Sequence, residues 1–225
     1  MFESLAERRS VYVPELPRLG RPIHPSGLSG WLGRWLRAVG LDEVDLVGHS
    51  LGGLVAAELA ATRPEYLRRL ALVAPAGIPC GRGLFGQSLR LVVTLYELRK
   101  QLPTIAFDAL RTGPLPLLRG ASFVSDHDLR AELASVRIPS VLIWGERDRL
   151  LPTSFVDEWQ RLLPGSRVVV LPCGHVPMWE APEQLARCLL EFFEEELCDE
   201  PCHQLWPRVV SGVRLTGDDD EVGAG

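Results

Sequence analysis

No apolar run in the 225 residues approaches the roughly 20 that a membrane-spanning helix needs, so a membrane span is not expected. The opening residues MFESLAERRS are charged and carry no apolar stretch, so they do not read as a secretion signal. Basic residues are in the minority: 24 Lys and Arg against 29 Asp and Glu leave a net charge of −5. No Lys/Arg cluster runs along one face, and nucleic acid therefore finds no electrostatic footprint. These absences set the expectation of a soluble cytoplasmic protein with no nucleic-acid partner.

Cysteine is sparse and odd in number, so the five thiols cannot all pair within the chain. Cys198, Cys202 and His203 lie close together, yet a fourth ligand and a second ligand pair are missing for a structural zinc site. Reduced thiols and no bound metal are the expectation. Cys173 reads as a loop residue, because no separate His and Asn partners can be named to activate it.

What is present fits one sizeable globular domain. A chain of 225 residues buries roughly 70–75% of its unfolded surface. Its apolar content of 46% with 24% charged residues is that of an ordinary soluble protein. Twenty-one glycines and eighteen prolines imply many turns.

The clearest unit runs from Leu41 to Pro64. Val44, Leu46 and Val47 form a short apolar strand, GHSLGG follows directly, and LVAAELAATR is rich in helix formers up to Pro64. Further strands are predicted at Leu70–Ala74, at Val141–Trp144 behind Pro139, and at Val168–Leu171. Nearly continuous apolar strands suit a parallel sheet covered on both faces, and their alternation with helical patterns gives an α/β fold class. Leu28, Leu32, Trp35, Leu36 and Val39 share one helical face before the first strand. Near the end, APEQLARCLLEFFEEEL reads as a helix with Pro182 in its first turn and Leu185, Cys188, Leu189 and Phe192 facing inward. Glu191 and Glu194–Glu196 then form a solvated face.

Residues 77–136 interrupt the alternation. Leu84, Ser88, Leu91, Val92 and Leu95 make a helical stripe, and the segment reads as a helical cap inserted into a core formed by 1–76 and 137–197. Residues 198–225 lack periodicity, end acidic, and read as a flexible tail.

Gly48-His49-Ser50-Leu51-Gly52-Gly53 matches the nucleophile-elbow pattern, in which a serine hydroxyl projects from a strained strand-to-helix turn. Side chains flanking such a turn would clash with it, which accounts for the small residues at 48, 52 and 53. The Leu51 N–H, at the start of the helix, is aimed to hold a developing oxyanion. Ser50 needs a base, and that base needs a carboxylate to fix its tautomer. Asp148 and His175 each follow the carboxyl end of a strand and fill these roles. Glu146 is an alternative acid that lies nearer its strand end, while Pro75 and Ala76 leave the loop after Leu70–Ala74 unable to supply one. His49 is an alternative base, but as the neighbour of Ser50 on the elbow it reads as a packing residue. His24, His127 and His203 have no comparable strand context.

GHSLGG, WGERDRLLP and GHVPMWEAPEQ resemble the α/β-hydrolase superfamily, in particular its capped esterase, haloperoxidase-like and carbon–carbon hydrolase branches. The resemblance covers roughly Val11 to Leu197. It implies an α/β-hydrolase fold and the chain order Ser, Asp, His for the triad Ser50, Asp148 and His175. Dehalogenases and epoxide hydrolases of this superfamily carry Asp at the elbow, and Ser50 argues against both. VYVPELPRLGRP is similar to the stretch that follows the family's His-Gly oxyanion loop, so the first strands and that loop are expected to be lacking. The expected activity is that of a serine hydrolase acting on a small-molecule acyl substrate, a small or medium carboxylic ester, through an acyl-enzyme and with no cofactor. A non-catalytic interaction protein and an acyltransferase are the alternatives.

Overall fold

The apolar runs read as strands pair side by side into a single sheet. The computed structural model describes residues 1–17, 25–79 and 127–195. Within them β1 (Val44–His49), β2 (Leu67–Val73), β3 (Ser140–Gly145) and β4 (Arg167–Leu171) are parallel and lie in the order β1-β2-β3-β4. Most strand ends extend one to three residues past the apolar runs, because the ladder is built from backbone groups and accepts polar residues. Asp45 of β1, for instance, stands opposite Arg69 of β2.

Seven α-helices accompany the sheet among the described residues: α1 (Phe2–Ala6), α2 (Pro25–Ala38), α3 (Leu51–Thr62), α4 (Arg130–Leu133), α5 (Val156–Leu162), α6 (Pro177–Glu180) and α7 (Pro182–Glu194). Parallel strands added in one direction through right-handed crossovers stack every crossover helix on the same face. Accordingly Leu54 and Leu59 of α3, Leu133 of α4 and Trp159 of α5 share a core with Leu28, Leu32 and Leu36 of α2. Leu72, Leu142 and Trp144 point into that core, while their strand neighbours Ala71, Val73, Val141 and Ile143 point the other way, as a period of two requires. On that second face α7 supplies Leu185, Leu189, Phe192 and Phe193, and α1 adds Leu5. The covering of both faces leaves β2 and β3 almost wholly buried. β1 and β4 form the edges among the described residues, and Val47 of β1 is 41% exposed.

Two local findings refine the sequence reading. Val39, expected on the buried face of α2, lies just past the helix end and is 42% exposed. The chain leaves the helix there through Gly40 at φ 69°, and the Leu41 N–H reaches back to the Leu36 carbonyl at 2.9 Å. At the other helix end of interest, the last carbonyls of α7 are taken up by arginines: Arg9 donates to the Phe193 carbonyl at 2.7 Å, and Arg69 donates to those of Phe193 and Glu195. Glu194 and Glu195, read as a solvated face, pair with Arg8 and Arg167.

The stripe Leu84, Ser88, Leu91, Val92 and Leu95, most of the 77–136 segment, residues 198–225 and Glu196 lie outside the described residues. Leu129, Leu133 and Val136, at the end of the 77–136 segment, pack in the core beside α3.

Leu189 is fully buried at the centre of the α7 contact. Leu189→Ala is expected to lower unfolding free energy by about 2–5 kcal/mol, and Val39→Ala by no more than about 0.5 kcal/mol. Urea denaturation of the two variants measures the difference.

Candidate active site

β1 ends in a turn that ordinary residues avoid. Ser50 sits at φ 51° and ψ −117°, a left-handed backbone that costs a non-glycine residue about 1–3 kcal/mol. The surroundings hold it there: its N–H donates to the Val73 carbonyl at 3.1 Å, and its carbonyl accepts from Leu54 at 3.1 Å and Ala76 at 3.0 Å. The turn is tight because β1 and α3 approach closely. A Cβ on Gly48 would lie 2.7 Å from the Ala56 Cβ, and one on Gly53 2.7 Å from the Pro75 Cβ. The expectation of a third crowded position at Gly52 is corrected, since a Cβ there meets nothing within 4 Å. Residue 52 points away from the strand, on the outer side of the first helical turn.

Two other strand ends bring partners to Ser50. Beyond β3, Asp148 is buried, and its Oδ1 accepts from the Leu150 and Leu151 amides at 2.9 and 2.8 Å. Its Oδ2 is 2.8 Å from His175 Nδ1. Beneath this loop the buried Trp144 indole donates to the Leu151 carbonyl at 2.7 Å. Beyond β4, His175 places Nε2 3.2 Å from Ser50 Oγ. A carboxylate on Nδ1 leaves that nitrogen protonated, so Nε2 carries the lone pair and accepts from the hydroxyl. Serine, imidazole and carboxylate thus form one continuous hydrogen-bonded chain. Leu51, the first residue of α3, has an N–H without an acceptor in its own helix.

The alternatives separate cleanly. Glu146 is exposed, while Asp148 holds the imidazole. His49 turns its Nε2 to the His175 carbonyl oxygen, 2.8 Å away. Burial, and then the neighbouring His175, push its pKa down from 6.5 to about 4, so it is neutral at pH 7. Cys173 is buried, and desolvation followed by the Glu180 charge pushes its thiol up to about 12, where it is no nucleophile. His127 stands in the 127–129 stretch ahead of α4, and His24, Cys198, Cys202 and His203 lie outside the described residues. Among the described residues no group of three or more His, Cys, Asp or Glu gathers to hold a metal ion, and no helix is long and apolar enough to cross a membrane.

The sequence reading missed the amides that fix Asp148 and the carboxylate of Glu180, which lies 2.8 Å from the Gly174 amide. The first had a local signal, since aspartate commonly accepts from amides two and three residues on. The second had none, because a carboxylate that folds back on a preceding loop follows no period.

A family model described as the alpha/beta hydrolase family matches residues 1–188. A pimeloyl-[acyl-carrier protein] methyl ester esterase from Nitrosomonas europaea is 34% identical over 172 residues, which are 63% of this chain and 68% of that protein. A 2-hydroxy-6-oxo-6-phenylhexa-2,4-dienoate hydrolase from Burkholderia cepacia is 27% identical over 185 residues, 69% of this chain and 64% of that protein. Among solved structures, a thermophilic esterase from Thermogutta terrifontis shares the fold with a TM-score of 0.65 at 22% identity, over 85% of this chain and 82% of its own.

Two stability measurements test this geometry. Ser50→Gly, which accepts the left-handed backbone, is expected to raise the denaturation midpoint by the equivalent of about 1 kcal/mol, whereas Ser50→Ala leaves it nearly unchanged. His49 has a folded pKa of about 4, depressed from 6.5, so the unfolded chain binds the extra proton. The stability that this supplies is complete above pH 6.5 and is lost as pH falls toward 4. His49→Gln is expected to flatten that part of a stability profile across the same window.

Proposed function

The chain belongs to the alpha/beta hydrolase family, and on that premise we propose that it is a serine hydrolase cleaving a small or medium carboxylic ester through an acyl-enzyme on Ser50. The observation that carries this reading is the pair of contacts made by one imidazole, 3.2 Å to Ser50 Oγ and 2.8 Å to Asp148 Oδ2. In the proposed mechanism Ser50 Oγ attacks the ester carbonyl carbon while His175 Nε2 takes its proton. Asp148 holds the resulting imidazolium in line. The negative oxygen of the tetrahedral intermediate is bound by the Leu51 N–H at the positive end of α3. Collapse expels the alcohol, which leaves with the proton held by His175. Water then gives a proton to His175 and its oxygen to the acyl carbon, and the acid departs as Ser50 recovers its hydrogen.

Asp148 is suited to this work because its second oxygen is already committed to two amides. It needs no reorganisation when charge forms on the imidazole. The substrate class follows the relatives, one of them named for a methyl ester esterase activity. A carbon–carbon bond beside a carbonyl is the second reading, favoured by the relative from Burkholderia cepacia.

A fluorophosphonate probe is expected to tag the wild type and not Ser50→Ala. Asp148→Asn is expected to lower kcat for a p-nitrophenyl ester by about 10⁴-fold, since it leaves the imidazole in the wrong tautomer. Folded wild-type protein that takes no tag and hydrolyses no ester in a panel of varied acyl length would overturn the reading in favour of a non-catalytic role. An added alcohol that outcompetes water for the acyl group would identify an acyltransferase.

A further inference from the structure

His175 must reach Ser50 from the far side of the sheet. β4 and β1 are separated by β2 and β3, three inter-strand steps or about 14 Å. Residues 172–176 make part of that crossing and belong to no helix or strand. Their base is tied to the loop after β3, where Arg147 donates its backbone N–H to the Cys173 carbonyl at 2.9 Å and its guanidinium to the Pro172 carbonyl at 2.6 Å. Nearer the imidazole, two side chains outside the triad take over. Glu180, at the end of α6, accepts from the Gly174 N–H at 2.8 Å with Oε2 and from the Val176 N–H at 3.2 Å with Oε1. One carboxylate therefore bridges the two amides that flank His175.

From the opposite side comes His49, on β1 and one residue before Ser50. Its Nε2 faces the His175 carbonyl at 2.8 Å, and a carbonyl can only accept, so Nε2 carries the proton and donates. The peptide unit joining His175 to Val176 is thus gripped at both polar ends, its C=O by His49 and its N–H by Glu180. Room for the carboxylate is left at Gly174, where a Cβ would lie 3.0 and 3.1 Å from the two Glu180 oxygens.

The geometry points to His49 and Glu180 as positioning residues that hold the His175 backbone so that its ring stays in line between Asp148 and Ser50. The assignment rests on the proposed roles of those three residues. His49 links the strand that carries the nucleophile directly to the backbone of the base, so the two cannot drift apart without breaking that bond. Its job requires one neutral N–H donor and no titration. A side-chain amide of similar reach can therefore replace it.

The test compares steady-state hydrolysis of p-nitrophenyl acetate, thermal midpoint, and the downfield proton resonance of the His175–Asp148 hydrogen bond in the full chain and in four variants. His49→Phe keeps an aromatic ring and loses the donor; it is expected to lower kcat about 10–100-fold with KM within about twofold. His49→Gln is expected to recover most of that loss and to restore the downfield resonance. Glu180→Gln, left with one acceptor oxygen, and Gly174→Ala, whose methyl presses on the carboxylate, are each expected to lower kcat by about 10-fold at unchanged KM. Gly174→Ala removes no buried group and decides the matter if His49→Phe does not fold.

Lower thermal midpoints with wild-type kcat in these variants would overturn the inference, leaving the contacts merely structural. So would equal losses in His49→Phe and His49→Gln. In either case fluorophosphonate tagging of Ser50 would leave the proposed function standing. Wild-type turnover by Ser50→Ala would instead overturn the function and the positioning roles with it.

Discussion

The hydrogen bond between Ser50 and His175 spans a gap that the sheet itself opens. Parallel strands deliver all their carboxyl ends to one edge, which is what allows residues 50, 148 and 175 to share a site. The same arrangement sets neighbouring ends one strand spacing apart, so those of β1 and β4 are three spacings apart. Ser50 follows β1, Asp148 follows β3 and His175 follows β4, so the loops after β3 and β4 must lean back across the end of β2. The segment after β2 begins with Ala74, Pro75 and Ala76, which are small and buried, and Ala76 turns its amide to the Ser50 carbonyl.

Each of the three side chains is held by its own means. Ser50 is locked in a strained backbone by neighbours that satisfy both its N–H and its carbonyl. Asp148 is fixed by amides of its own loop, with Trp144 supporting that loop from the core. His175 has the longest reach, from a stretch that belongs to no helix or strand, and it takes its support from side chains on other elements. The pattern is what the proposed chemistry would require of its site: the energy of placing the groups is spent in folding and not during reaction. Strain tolerated at Ser50 is one cost of that placement.

Much of this was legible in the chain. The apolar runs located all four strands, most plainly β2 and β3, where burial on both faces leaves a continuous hydrophobic signature. GHSLGG marked the elbow because α3 against residue 48, and Pro75 against residue 53, leave room only for glycine. That rule overreached at Gly52, where the side chain would point to open space, and the helical period overreached at Val39, where the helix had already ended. Position along the loop favoured Asp148 over Glu146, which lies nearer its strand end. The turn buries Asp148 and exposes Glu146.

What the linear order of residues determined by itself was therefore local: which segments are strands, where a serine must project, and which polar residues stand just beyond strand ends. These depend on hydrophobic period and on sterics between near neighbours, both written in adjacent residues. Tertiary structure alone decided that His49 donates to a carbonyl 126 positions away, that Glu180 bridges the amides either side of His175, and that one imidazole touches both Ser50 and Asp148. Contacts of that kind are made between groups whose distance is set by strand order and loop path, and a few ångströms in either quantity make or break a hydrogen bond.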